Sequence, residues 1–149
     1  MKSSPGDEGT GPAQSWSVGE LAERFGLASH VLRYWEDQGL LSPDRDGGGR
    51  RRYGPDQLTR VAVIVRNKAA GMSLGQIRVL LDAEASGRHA VLEEHLADLE
   101  RRMADMERSR EMTLHALDCR AHDIATCPNF RAAVQDLVDG AAAPRFHLA

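Results

Sequence analysis

The chain has 149 residues, 42% of them hydrophobic and 5% aromatic, with a formal net charge of −3. That length suits one small domain plus an accessory element, and the negative balance argues against a chain that is basic throughout and binds nucleic acid along its whole length. There is no run of about 18 apolar residues, so no membrane helix is expected.

The opening stretch, MKSSPGDEGTGPAQ, lacks the apolar segment of a secretory signal. Its Gly, Pro, Ser and acidic residues predict a disordered tail over 1–15. On this reading a cytoplasmic location is expected. SWSVGELAERFG follows, with Ser17 as N-cap and Glu20 three residues on, a capping-box spacing. Val18, Leu21, Ala22 and Phe25 fall at helical intervals and Gly26 stops the helix. In LASHVLRYWEDQGLL, Ser29 is expected to cap a second helix with Val31, Leu32 and Trp35 on its apolar face. Two short helices around a tight turn form a helix-turn-helix pattern.

Pro43 and the three glycines at 47–49 then break any helix. With Leu40 and Leu41 before them and Arg50 to Tyr53 after, they fit a short hairpin, or wing. Pro55 and Asp56 suit the first turn of a third helix over about 55–70. Its core side is Leu58, Val61, Ala62, Ile64 and Val65. Gly71 and Ser73 predict a stop and a new cap, with a fourth helix over about 74–85.

Between Arg88 and Asp118 there is neither Gly nor Pro. Leu92, Leu96, Leu99, Met103, Met106, Arg110, Thr113 and Leu117 step alternately by four and three, which is a heptad seam. A helix of this length reaches about 45 Å. So small a domain cannot bury such a stripe, so its copy in a second chain is the expected partner. Arg110 and Thr113 interrupt the seam near its end, where they would set register. NFRAAVQDLV is predicted to form one short helix with Phe130, Val134, Leu137 and Val138 on one face, followed by a loose tail over 140–149.

Charge is unevenly spread. From Arg24 to Lys68 there are nine Lys or Arg (24, 33, 45, 50, 51, 52, 60, 66, 68) against five acids (36, 37, 44, 46, 56). This region is a candidate phosphate-binding face, the alternative being an ordinary solvated surface. An α-helix fits the DNA major groove, and the polar positions on the second helix are Ser29, His30, Arg33 and Tyr34. In the wing, Arg50, Arg51, Arg52 and Tyr53 are expected to grip the DNA backbone. Ser17 is a cap or a phosphate contact. Trp16 and Trp35 are read as packing residues.

The order SVGELAERFGLASHVLRYWEDQGLLSP, GGGRRRY, GMSLGQIRVLL and one long helix resembles the MerR family of bacterial transcription regulators over residues 16–118. LRYWEDQGLL matches the family's arginine, paired aromatics and acid; RRY matches its wing; GMSLGQI matches its linker. Ala28 and Arg50 stand where the family usually has a capping Ser and often a Tyr. The resemblance implies a mainly α fold: a winged helix-turn-helix DNA-binding domain (16–70), a linker helix (71–87), a long antiparallel coiled-coil dimerisation helix (88–118), and an effector loop with a short helix (119–139). It implies a homodimer on a palindromic promoter, distorting the DNA for RNA polymerase in response to an effector.

Both cysteines, Cys119 and Cys127, lie just after the long helix. In a reducing compartment such a pair points to metal or redox chemistry rather than a structural disulfide. The Cys-x7-Cys loop at this place resembles the copper-responsive CueR-type branch, in which two thiolates suit Cu(I). His122 within the loop, and His115 one turn before Cys119, offer nitrogen donors for a tetrahedral Zn(II) site. A thiol redox switch and plain loop packing remain the alternatives. Two cysteines are too few for an iron–sulfur cluster. The chain has no Gly-rich phosphate loop, no HExxH and no Ser-His-Asp set, so no enzyme is expected. A coiled-coil adaptor that does not bind DNA would account for 88–118 but not for RYWEDQGLL or GGGRRRY.

Overall fold

A computed structural model describes residues 14–141. The tail calculated from composition over 1–15 and the loose tail over 140–149 lie almost wholly outside these residues. The chain divides into two compact units, Met1–Val91 and Leu92–Ala149. The elements in order are α1 (Val18–Phe25), α2 (Ser29–Asp37), β1 (Asp44–Arg45), β2 (Arg51–Arg52), α3 (Pro55–Ala69), α4 (Leu74–Leu81), α5 (Arg88–Asp118), a 3-10 turn (Ile124–Thr126), α6 (Pro128–Ala133) and α7 (Gln135–Val138). The fold is mainly α, a helix-turn-helix unit with a two-stranded wing followed by a long helix. No helix among the described residues is long and apolar enough to cross a membrane.

The capping box of α1 forms as expected. The Ser17 hydroxyl accepts from Glu20 N–H and the Glu20 carboxylate accepts from Ser17 N–H. Gly26 closes the helix in the left-handed region at φ 64°, a conformation that costs any L side chain energy. Ser73 and Gln76 repeat the capping box at α4.

Ser29 does not cap α2. Ala28 holds the extended N-cap conformation with no side-chain bond, and Ser29 is already the first helical residue. The 22–27 backbone bond fixes the turn upstream, so the helix starts as soon as the chain leaves it. Helix α4 also ends four residues earlier than expected. Asp82 turns extended, its carboxylate accepts from Glu84 N–H, and Arg88 reaches back to its carbonyl.

The core of the first unit joins α1, α2, α3 and α4 with the segments between them: Leu21, Leu32, Trp35, Leu40, Tyr53, Val61, Ile64, Met72 and Ile77 are buried together. Each fully buried Leu or Ile contributes about 2 kcal/mol from apolar surface removed from water. The wing is a two-stranded antiparallel hairpin pairing Asp44 with Arg52 and Arg45 with Arg51. Its base is extended by Trp16, whose N–H and carbonyl bond Tyr53 on both sides at 2.9 and 2.8 Å. In the wing turn the Asp46 carboxylate accepts from the N–H of Gly48 and Arg50, and Gly49 takes φ 75°.

Helix α5, all but its first four residues in the second unit, is one continuous helix of 31 residues with no buried side chain. The single short helix expected near Phe130 is instead two, α6 and α7. Val134, at φ −110° and ψ 6°, breaks the run.

Candidate nucleic-acid interface and metal centre

On α2, Leu32 and Trp35 turn into the core while His30, Arg33 and Tyr34 are exposed. The latter three are spaced i, i+3 and i+4, so they share one face. Ser29 is half-buried beside them. The helix therefore presents a donor-rich polar surface of the width a major groove admits.

The four wing residues divide into different roles. Arg50 is exposed beside the turn. Arg51 is half-buried and bonded to Glu36 of α2, whose carboxylate also lies 3.8 Å from Arg45. Donating to the Glu36 carboxylate raises the Arg51 pKa above its ordinary value, so this cation is held as a tether between wing and α2. Arg52 donates to the Ser15 carbonyl at 2.8 Å and its hydroxyl at 3.1 Å, fastening the wing to the segment before α1.

Tyr53 is a correction to the sequence reading. It is fully buried, so it belongs to the core rather than to a DNA-gripping surface. Tyr53 pairs with Trp16 at the base of the wing, where the chain enters the core, and its side chain is buried in that cluster. Burial raises its hydroxyl pKa. Sequence reasoning counts Arg45 only within the basic region. The hairpin register sets it opposite Arg51, exposed and donating to the Gly49 carbonyl.

Along α5, the seam residues Leu92, Leu96, Met103, Met106 and Leu117 are exposed, Leu117 to 77%. Thr113 is exposed and bonds back to the Ser109 carbonyl, while Leu99 is half-buried. Ion pairs join Asp98 to Arg101 and Arg102, Asp105 to Arg108, and Glu107 to Arg110. The 3-10 turn, Phe130, Val134 and Val138 line a small groove of about 420 Å³.

At the end of α5, three donors converge. His115 and Cys119 are four residues apart on one side of the chain. The 3-10 turn, held by Asp123 accepting from Ala125 N–H, then brings Cys127 back to them. The His115, Cys119 and Cys127 donor atoms all lie within 4.8 Å of one another. His115 Nε2 is 3.2 Å from Cys127 Sγ, and the His115 ring sits 6.0 Å from the Phe130 ring. Both thiols are free, and Cys127 is buried. Its pKa falls from 9.0 to about 7. The Phe130 N–H bond is the largest cause, followed by the bond with His115, and burial opposes both.

His122 does not join this group. It is exposed, three residues past Cys119 in the stretch that loops outward before the 3-10 turn. His115, the other histidine of the sequence reading, does join it, standing in the last turn of α5 four residues before Cys119. The i, i+4 spacing is the sequence signal that singles it out. Two thiols and an imidazole nitrogen at this separation suit a soft or borderline metal ion.

A helix-turn-helix unit with a basic wing, followed by a long helix, defines a DNA-binding regulator. The family model described as MerR HTH family regulatory protein matches residues 16–84, and that described as MerR, DNA binding matches 58–116. The chain is 30% identical over 134 residues to the HTH-type transcriptional regulator HmrR of Rhizobium leguminosarum bv. viciae, covering 84% of this chain and 99% of that protein. It is 30% identical over 147 residues to the heavy metal-dependent transcription regulator 2 of Rhizobium meliloti (89% and 97% covered). It is 33% identical over 115 residues to the mercuric resistance operon regulatory protein of Pseudomonas fluorescens (73% and 78%). Two solved structures share the fold. HiNmlR, a MerR family regulator bound to promoter DNA, has a TM-score of 0.58 at 23% identity, covering 70% of this chain and 85% of that one. A MerR family regulator from Listeria monocytogenes has a TM-score of 0.61 at 20% identity (83% and 95%). The chain belongs to the MerR family of DNA-binding transcription regulators, which are not enzymes.

Proposed function

We propose that this regulator works as a homodimer on a palindromic promoter and that its effector is a thiophilic metal ion held by Cys119 and Cys127. The observation that carries the effector reading is the convergence of the chain's only two thiols at the end of α5, with donor atoms within 4.8 Å. Relatives named for heavy-metal and mercuric response support it. The exposed seam of α5 supports antiparallel pairing with a second copy through Leu92, Leu96, Leu99, Met103, Met106, Thr113 and Leu117. Arg33 and Tyr34 then contact phosphate or a base edge, with His30 and Ser29 beside them. Arg50 and Arg45 of each wing contact phosphate, while Arg51 and Arg52 hold the wing in place.

In this reading two recognition helices and two wings meet a two-fold symmetric site. Metal at the loop alters the dimer geometry, the dimer bends and untwists the promoter, and RNA polymerase engages it. Sequence preference then arises partly from the deformability of base pairs the protein never touches. Cys119 and Cys127 would hold the ion as thiolates, and the ion would supply a positive charge between them. The thiol pair also favours a second reading, a disulfide switch. In that case oxidation in the absence of metal would change promoter binding and dithiol reductants would reverse it.

The experiment is selection of a palindromic duplex from a random pool by the reduced protein, followed by binding over a range of salt. Arg33→Ala is expected to weaken binding by about tenfold and to lower the salt slope by about one, without altering dimer size. Unchanged affinity and slope at moderate salt would remove Arg33 from the contact surface.

A further inference from the structure

His115 stands in a position that the Cys-x7-Cys pattern does not contain, and the fold gives it a direction. Its Nε2 faces Cys127 Sγ at 3.2 Å, and that atom and Cys119 Sγ all fall within one 4.8 Å triangle. An ion about 2.0–2.3 Å from a nitrogen and a sulfur needs them roughly 3.6 Å apart at a tetrahedral angle. The observed 3.2 Å requires only a small rotamer adjustment.

We infer that His115 is a third ligand of the loop site, so that the site takes a divalent ion of the Zn(II) class rather than a two-coordinate monovalent ion alone. This inference rests on the reading of Cys119 and Cys127 as metal ligands. A monovalent ion with two thiolates in line is satisfied by two sulfurs and leaves a net negative charge. A divalent ion with two thiolates and a neutral imidazole is electrically balanced and has three of the four donors of a closed tetrahedral site. On binding, the thiol protons pass to solvent and the imidazole keeps its single proton on Nδ1, leaving the Nε2 lone pair for the ion. His115 lies in the last turn of α5 and Cys119 directly follows the helix, so the end of one helix places two of the three donors together. Phe130, stacked at an angle on the imidazole, packs one side of that ring.

The test uses the full-length reduced protein, with Zn(II) and Ag(I) each measured in competition with a chelator. Wild type is compared with His115→Leu, His115→Gln, Cys119→Ser, Cys127→Ser and His122→Ala. Both His115 variants are expected to lose roughly 100-fold or more in Zn(II) affinity. Ag(I) affinity should stay within about threefold and His122→Ala should match wild type for both ions. Nitrogen-15 NMR of the histidine rings should show Nε2 of His115 shifting on Zn(II) addition. His115→Gln keeps a polar side chain, so agreement between the two variants separates ligand loss from disturbed packing. Zn(II) affinity within about threefold of wild type in both His115 variants, with the cysteine variants still defective, would overturn the inference while leaving the cysteine site intact. Undiminished binding of both ions in the cysteine variants would overturn both.

Discussion

Glu36 illustrates how one side chain can decide what its neighbours do. It takes Arg51 out of the pool of free cations and lies near Arg45, so two of the wing's cations are organised from α2. A buried Tyr53 beside them needs the opposite reasoning. Its hydroxyl has no hydrogen-bond partner among the protein's described side chains, and losing it removes a polar group from an apolar site. Tyr53→Phe should leave DNA affinity unchanged and shift stability by no more than about 1 kcal/mol. Thermal melts and binding isotherms check this, and a clear loss of DNA affinity would restore Tyr53 to the surface.

Cys127 carries the residue-scale pH prediction. Its folded pKa of about 7 lies below the ordinary 9.0, so the unfolded chain binds more protons between those values. The associated stability is fully present above about pH 9 and is lost as pH falls through about 7. In a Cys119→Ser background, the ultraviolet thiolate absorbance of metal-free protein should titrate well below that of an ordinary thiol. Adding His115→Leu should move the midpoint up only part of the way, because the larger contribution from Phe130 N–H remains. A midpoint at the ordinary value in the first variant would contradict the geometry of the loop.

At the scale of elements, helix existence was legible and helix edges less so. The capping boxes at Ser17 and Ser73 are local, with donor and acceptor three residues apart, so spacing alone reveals them. Ser29 misled because capping depends on which residue first adopts helical angles, and the preceding turn decides that. The break at Val134 and the early end of α4 are likewise set by packing and turn bonds rather than by composition. The wing was legible from Pro43 and its glycines, but its internal division was not. Arg50, Arg51 and Arg52 are identical in type, and only the hairpin register and the distant partners Ser15 and Glu36 separate them. Glu36→Ala should therefore weaken operator binding severalfold by loosening the wing, with dimer size unchanged. Binding equal to wild type would mean the tether adds nothing to the DNA-bound form.

At the scale of the whole molecule, α5 leaves an apolar seam uncovered, with Leu92, Leu96, Met103, Met106 and Leu117 exposed. Its heptad spacing was plain in the sequence because a 31-residue helix without Gly or Pro keeps its register. The candidate donors were legible as Cys119, Cys127, His115 and His122; only the fold separates the two histidines, bringing His115 to the cysteines and leaving His122 outside. If the seam pairs two copies as proposed, Leu96→Asp with Leu99→Asp should give monomers at micromolar concentration and abolish operator binding, since each half-site contact alone is weak. Sedimentation would show it, and a dimer surviving both changes would mean the seam pairs elsewhere.

The most direct test joins the loop to the DNA. The selected operator would carry a fluorescent base analogue at its central step, bound to reduced dimer with and without metal, for wild type, Cys119→Ser and Cys127→Ser. Metal should increase the fluorescence of unstacked central bases in wild type and in neither variant. The same signal with and without metal, or a metal-dependent change that persists in both cysteine variants, would contradict a metal-driven regulator acting through this loop.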